Sequence, residues 1–375
     1  MTSKLLAFIV FVLVFSLVVL NFGFFLRSQK VVPDFFVGIS VGYANVDTIK
    51  ALIDKVSSYT NFFVVGSTGV SVVEDKLFEV CQYLVDKGIF FVVFVEIHFQ
   101  LDLIAEIQKK FSHNFLGIYF SDEQGGRQLD DFKIRWVESA DNVSDAADQF
   151  VYHLHYYLNV NEIEGIKTNY VPSDFRLFSS DYGLYWFDYL AGYDTIFAEF
   201  GWNHSRQLDV ALNRGAATVQ NKDWGAIITW TFNEPPYIGS GQELYIDLVY
   251  AYDNGAKYVL VFDSNENYTQ SILKEEHFEA LEQFWQYTKD NPRHLSVSRV
   301  AFVLPKDFGY GFRGPEDTIW GLWEADAHSL EISYHLGEFF AQYGTMLDVI
   351  YDDNLALDQT YSKYIFWNGT IISPL

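Results

Sequence analysis

Cysteine is almost missing from this chain: Cys81 is the only one in 375 residues. No intramolecular disulfide can form, and no cysteine-based metal site can be built. The count leaves the compartment open. Positive charge is also scarce. Twenty-five Lys and Arg stand against 49 Asp and Glu, a formal net charge of −24. Such a chain repels nucleic acid and anionic head groups, and no basic stripe interrupts the acidity. Nucleic-acid binding is therefore not expected. Several motifs are missing as well. No Gly-x-Gly-x-x-Gly or P-loop points to a nucleotide, and no Gly-x-Ser-x-Gly elbow points to an esterase. No fixed-period repeat and no low-complexity tract occurs.

Apolar residues are plentiful. Half the residues are hydrophobic and 18% are aromatic, with 35 Phe, 25 Tyr and 9 Trp. Most of these rings are expected in a core, and some are available as flat platforms for ligands. The run Leu5–Leu26 carries no charge in 22 residues. A helix of that length crosses a hydrocarbon layer of about 30 Å. It is longer than a signal-peptide core, and no small-residue cleavage site precedes Val31. Residues 1–30 are therefore expected to be an uncleaved membrane anchor. Lys4 on one side and Arg27 and Lys30 on the other do not decide orientation. Four Asn-x-Ser/Thr sites, at Asn142, Asn203, Asn267 and Asn368, tilt the expectation toward a single-pass protein whose soluble part is extracytoplasmic.

Beyond Pro33, apolar runs alternate with amphipathic stretches. Strands are expected at Phe35–Val41, Phe62–Val65, Ile89–Ile97, Phe115–Phe120, Arg176–Ser179, Thr195–Phe200, Ala226–Thr231 and Lys257–Phe262. Helices are expected between them, the last near Lys274–Lys289. Eight such units match an α/β fold of the (β/α)₈ TIM-barrel kind over residues 31–290. The near-continuous apolar strands suit a parallel sheet covered by helices. Asn291-Pro292-Arg293 marks a break. Residues 291–375 then read as a small α/β domain: strands at Ser298–Leu304, Leu347–Tyr351 and Tyr364–Trp367, and a helix at Leu330–Tyr343.

A barrel enzyme works at the C-terminal ends of its strands. The residues that follow the predicted strands are rich in acids and aromatics. They include Glu96 and His98 after the third, and Tyr119, Asp122 and Glu123 at the fourth. Asp181 and Tyr182 follow the fifth, with Glu199, Trp202 and Asn203 at the sixth. Trp230, Asn233 and Glu234 follow the seventh, and Asp263 the eighth. Acids here also cap the helices that start at this rim, which is a competing reading of each. Glu96-x-His98 has no third metal ligand, so no metal is expected, and no cofactor either. Arg127 and Arg206 suit either an acidic sugar or ordinary ion pairs.

Tyr119–Gly126 (YFSDEQGG), Phe197–Asn203 (FAEFGWN) and Thr229–Pro235 (TWTFNEP) make residues 35–290 resemble the (β/α)₈ glycoside hydrolase superfamily. The likeness is to the clan with glutamates after strands 4 and 7. That resemblance implies hydrolysis of a carbohydrate, with Glu123 as acid/base and Glu234 as nucleophile. Among the residues at and after the strand ends, Tyr119, Asp181, Tyr182, Trp202, Asn203, Trp230, Asn233 and Asp263 are the expected sugar contacts. In that clan Asn usually precedes the strand-4 glutamate; here Asp122 does, while Asn-Glu-Pro stands at Asn233–Pro235. Glu199 is then the substitute partner for Glu123, or Asp122 and Glu123 divide the roles, one raising the proton affinity of the other. The C-terminal unit resembles the flavodoxin-like or amidotransferase-like units appended to some barrel glycosidases. The expected protein is a membrane-anchored glycosidase acting on envelope or extracellular polysaccharide. A non-catalytic carbohydrate-binding or scaffold protein on the same fold is the alternative.

Overall fold

A computed structural model describes residues 32–95, 101–130, 135–160, 176–202, 204–293, 299–353 and 360–373. The expected anchor at Leu5–Leu26, and Glu96, His98 and Asn203, lie outside them. Among the described residues no helix is long and apolar enough to cross a membrane.

The strands are β1 (Phe36–Val41), β2 (Phe62–Val65), β3 (Phe90–Val95), β4 (Phe115–Phe120), β5 (Arg176–Asp181), β6 (Thr195–Phe200), β7 (Asp223–Ile228) and β8 (Tyr258–Asp263). They close in that order into a parallel barrel. β8 returns to β1, with Phe36 opposite Tyr258 and Val41 opposite Asp263. The helices in chain order are α1 (Val46–Val56), α2 (Thr68–Ser71), α3 (Glu74–Asp86), α4 (Leu101–Phe111), α5 (Gln124–Leu129), α6 (Val143–Val160), α7 (Tyr185–Ala191), α8 (Arg206–Val219), α9 (Gly241–Asp253) and α10 (Glu275–Asp290). The first helix shows why these segments are helical. Asn45 accepts the Thr48 amide at 2.9 Å as N-cap. Ile49, Leu52, Ile53 and Val56 form its buried stripe.

Rings fill the barrel. Phe36, Phe62, Phe90, Tyr119, Phe178, Phe197 and Tyr258 are all buried in one cluster. Phe36 stacks on Tyr258 at 4.8 Å. The barrel centre is thus a packed core rather than a channel, and much of the aromatic content is spent there. Several boundaries differ from the sequence expectation, and β5 and β7 are the instructive cases. β5 extends two residues further, to Asp181. β7 begins and ends three residues earlier than Ala226–Thr231, because Gly225 and Trp224 are buried strand positions while Thr229–Thr231 already turn toward the surface.

The C-terminal unit carries β9 (Val300–Leu304), α11 (Ala327–Tyr343), β10 (Leu347–Tyr351), β11 (Lys363–Phe366) and β12 (Ile371–Ile372). The sheet order is β10-β9-β11-β12. Only β12 runs antiparallel, and it is a strand the sequence did not announce. The sheet is locked to the barrel. Arg214 on α8 donates to Asp348 on β10 at 2.6 Å, with both side chains buried. The same guanidinium donates to the carbonyls of Asn254, Thr345 and Leu347. Gly215 lies against the Val349 carbonyl, which a Cβ there would approach to 2.3 Å. The loop between β9 and α11 reaches back to α5: the Gln128 amide donates to the Trp320 carbonyl at 2.9 Å, and Arg313 pairs with Asp130. The Trp320 ring is fully buried beside Phe150 and Phe187.

Candidate active site at the barrel rim

The chain leaves β4 through a strained corner. Ser121 and Glu123 both take left-handed backbone angles, φ 43° and 57°. Each such conformation costs a non-glycine residue about 1–3 kcal/mol and survives only where neighbours enforce it. The neighbours come from β5 and the turn before β6. Ser179 donates its hydroxyl hydrogen to the Ser121 carbonyl at 2.5 Å. Tyr193 donates to the Phe120 carbonyl at 3.1 Å. The Glu123 amide donates to the Ser180 carbonyl at 2.8 Å.

Asp181 does the most to shape this corner. Its carboxylate accepts the amides of Gly125 (2.6 Å), Gly126 (2.8 Å), Tyr182 (2.7 Å) and Gly183 (3.1 Å). Asp181 is therefore a buried organiser of the loop. Its proton affinity is raised to about 6 because burial outweighs these donors. Asp188 on α7 is buried beside it. Burial, then the charge of Asp181 and a hydrogen bond to it, hold Asp188 well above the usual carboxylate range. Neither Asp188 oxygen accepts a hydrogen bond from a described group. A protonated Asp188 has one hydrogen to give, and Asp181 is its acceptor. The glycines serve the same packing. A Cβ on Gly125 would stand 2.3 Å from the Gly183 carbonyl, and one on Gly126 would stand 2.1 Å from the Tyr182 ring.

Glu123 sits at the N-terminus of α5 with its side chain 35% exposed. Burial of its carboxyl, then the charge of Asp122, push its pKa up to about 7, against the pull of Arg127. Arg127 reaches Asp122 at 3.2 Å and Glu123 at 3.6 Å. Asp122 is also raised, by burial, with Arg127 lowering it. Glu199 on β6 is buried. Burial first, then the charges of Glu123, Asp122 and Asp181, hold it well above its ordinary range. A hydroxyl chain ends on it: Tyr119 donates to Ser180 Oγ at 2.6 Å, and Ser180 donates to Glu199 Oε1 at 2.5 Å. The structure thus gathers Asp122, Glu123, Asp181 and Glu199 at the ends of β4, β5 and β6.

The other expected residues are dispersed. Tyr119 is buried and stacked on Phe197, so it meets the site through Ser180 rather than through a ligand. Asp263 is fully buried and accepts from the Tyr43 hydroxyl (3.0 Å) and the Ile272 amide (2.8 Å), holding the loop after β8. Tyr182 remains at the site, with its hydroxyl on Asp130 at 2.8 Å and its ring 5.6 Å from His204. Asn233 and Glu234 are exposed on the loop beyond β7. β7 stops at Ile228, six residues before Glu234, and no described group hydrogen-bonds the Glu234 carboxylate. Arg206 pairs with Asp247 at 3.1 Å, the simple ion pair.

Aromatics line the neighbouring rim. Trp202 is 39% exposed, and its amide donates to the Trp230 carbonyl at 2.8 Å. Half-buried Trp230 donates its indole N–H to the Ser264 carbonyl at 2.8 Å and lies 6.4 Å from Tyr268. Tyr268 and Phe232 are exposed beside it, and neither was singled out from the sequence. Among the described residues no three His, Cys, Asp or Glu are grouped to hold a metal ion.

No family model matches this chain, and no curated protein matches its sequence. Solved structures do match in fold. A β-galactosidase from the psychrophilic Marinomonas ef1 superposes with TM-score 0.56 at 10% identity, covering 88% of this chain and 72% of its own. A polyextremophilic β-galactosidase from the Antarctic haloarchaeon Halorubrum lacusprofundi gives 0.58 at 9%, covering 88% and 69%. α-L-Fucosidase isoenzyme 2 from Paenibacillus thiaminolyticus gives 0.52 at 10%, covering 88% and 59%. The matched share of this chain exceeds the barrel alone. At such identities the likeness is one of architecture: the chain shares the TIM-barrel fold of these solved structures.

Proposed function

We propose that the protein hydrolyses glycosidic bonds, with Glu123 as the general acid and base and Glu199 as its partner carboxyl. The observation that carries this reading is the pairing of a rim glutamate titrating at about 7 with a buried second glutamate that feels its charge. A proton donor works best when its pKa lies near the working pH. Glu123 meets that condition and is partly open to solvent. It would protonate the leaving glycosidic oxygen and later take a proton back from water. Burial and the charge of Glu123 raise the proton affinity of Glu199. The reaction needs Glu199 ionised, its proton released to solvent, and positive charge developing on the sugar ring favours that form. Its carboxylate then attacks the ring carbon, or activates water to do so, as the bond to the glycosidic oxygen breaks and Glu123 gives that oxygen its proton. Asp122, paired with Arg127, adds fixed negative charge nearby. The exposed rings of Trp202, Tyr268 and Phe232 offer apolar faces to sugar rings. The test is a hydrolysis screen of the full-length chain on a panel of polysaccharides, with Glu123→Gln and Glu199→Gln beside the wild type. Loss of about 10²–10⁴ in rate is expected for a general acid. Wild-type turnover in the Glu123 variant overturns the assignment.

The same proposal places the enzyme on a membrane, held by Leu5–Leu26, with the barrel outside the cell. Support comes from the uncharged run and from Asn142, Asn267 and Asn368, all three exposed. Extraction of the protein by alkaline carbonate would overturn the anchor.

A further inference from the structure

A cavity of about 350 Å³ lies at the seam between the barrel and the C-terminal sheet. It is built at the N-terminal ends of β7 and β8, remote from the strand ends that carry Glu123 and Glu199. Its walls include Lys222, Asp223, Trp224, Lys257, Arg299 and Tyr361. Three cations and one acid therefore line it, in a chain whose net charge is −24. The acid is already spent: Asp223 is held by Lys257 at 2.8 Å and by Arg176. Lys222 leans on Asp194 at 3.1 Å.

Arg299 is the odd member. Its guanidinium is half-buried over Gly255 and makes no hydrogen bond with a described residue. The nearest carboxylate, Asp348, is 3.7 Å away. That carboxylate is already engaged by Arg214 at 2.6 Å and by the Tyr361 hydroxyl at 3.0 Å. Two guanidinium ions thus share one anion. Burial and the charge of Arg214 lower the proton affinity of Arg299, as expected for an undercompensated cation. A planar fork of N–H donors that makes no hydrogen bond with a described residue and shares its one nearby carboxylate with Arg214, in a cavity also lined by two ammonium groups, is the donor set that recognises a tetrahedral oxyanion.

We propose that this seam cavity is a binding site for a tetrahedral dianion, phosphate or sulfate, held by Arg299, Lys222 and Lys257. The anion completes the charge balance that Asp348 leaves unfinished. It bridges the barrel, through Lys222 and Lys257, to the first residue before β9. The site is independent of any chemistry at the rim.

The experiment is a calorimetric titration of the full-length chain with sodium phosphate and with sodium sulfate, against sodium chloride at matched ionic strength. Glucose 6-phosphate and glucose 6-sulfate form two further arms and separate a free anion from an ester. Saturable heat from at least one dianion, and none from chloride, is expected. Arg299→Gln and Lys257→Gln should each weaken binding by roughly tenfold or more, since a charge-assisted hydrogen bond is lost. Lys257 is a partly exposed residue, so its variant tests the site even if replacement of Arg299 disturbs folding. Heat that never saturates, or equal affinity in wild type and the Lys257 variant, overturns the proposal. A general stabilising effect of sulfate appears as unsaturable behaviour and counts against it.

Discussion

Ser180 donates its hydroxyl hydrogen to Glu199 at 2.5 Å, tying the end of β5 to the end of β6 beneath Glu123. That bond lowers the proton affinity of Glu199, while burial and the charge of Glu123 raise it. Ser180→Ala removes the opposing influence. The proton on Glu199 should then be held more tightly, moving any pH limit it sets upward. Loss of one buried hydrogen bond should cost about 0.5–1.5 kcal/mol of stability. Chemical denaturation and a pH–rate profile of this variant check both.

The pH dependence follows from Glu123. Its folded pKa of about 7 lies above its ordinary value of 4.5. In the proposed reaction the protonated form is the donor, so kcat/KM should fall as pH rises through about 7. Stability runs the same way. Between 4.5 and about 7 the folded state binds more protons at this group than the unfolded state, so stability declines with rising pH in that window. Glu123→Gln should flatten the decline and raise the thermal midpoint at neutral pH. A Gln variant that melts lower than wild type at pH 8 contradicts the assignment.

Asp181 offers a sharper test of loop organisation. Asp181→Asn leaves an amide where a carboxylate accepted four backbone donors. At least one buried N–H loses its partner, at a cost of about 1–3 kcal/mol, and the corner that carries Glu123 loosens. Asp188→Asn keeps a hydrogen to give to Asp181 and should leave the fold near wild type, whereas Asp188→Ala should not. Thermal midpoints of the three variants decide; equal loss in both Asp188 variants refutes the shared proton.

Gly126→Ala is expected to be costly despite its small size. The added methyl would meet three atoms of the Tyr182 ring at 2.1 to 2.4 Å. Overpacking of this kind costs about 1–3 kcal/mol. Tyr182 must move, and its bond to Asp130 with it. A variant with unchanged midpoint and unchanged near-ultraviolet dichroism would show that the ring yields freely.

The aromatic rim should read out in binding alone. Trp202→Ala and Tyr268→Ala remove exposed rings, so the midpoint should hold while affinity for a bound oligosaccharide falls by roughly tenfold, the scale of 1–2 kcal/mol per ring contact. Equal affinity in both variants excludes the platform.

Much of the barrel was legible in the sequence, because a parallel strand buried on both faces must be apolar throughout. β2, β4 and β6 lie where the sequence placed them, as does β10 in the C-terminal unit. β5 was faint for a reason that matters. Its last three residues, Ser179, Ser180 and Asp181, are buried and polar. Each is spent on the Glu123 corner, so the pattern that weakens the strand is itself the mark of the site. Asp122, Glu123 and Glu199 were legible as acids at strand ends. Asp188 was not, because an acid inside a short helix resembles any polar residue on a helix face. The seam cavity was equally hidden: Lys222, Lys257 and Arg299 are far apart in sequence, and only the docking of β10 against α8 unites them.

The Arg214–Asp348 lock has a consequence for motion. A charge pair sealed from water cannot be pulled apart cheaply; removing one partner costs about 3–5 kcal/mol. Opening the seam would strand both ions at once and lift the Gly215 backbone off Val349. Hinge bending between barrel and C-terminal unit is therefore closed to this molecule as a working stroke. The barrel and the C-terminal sheet should instead melt together, in a single cooperative transition.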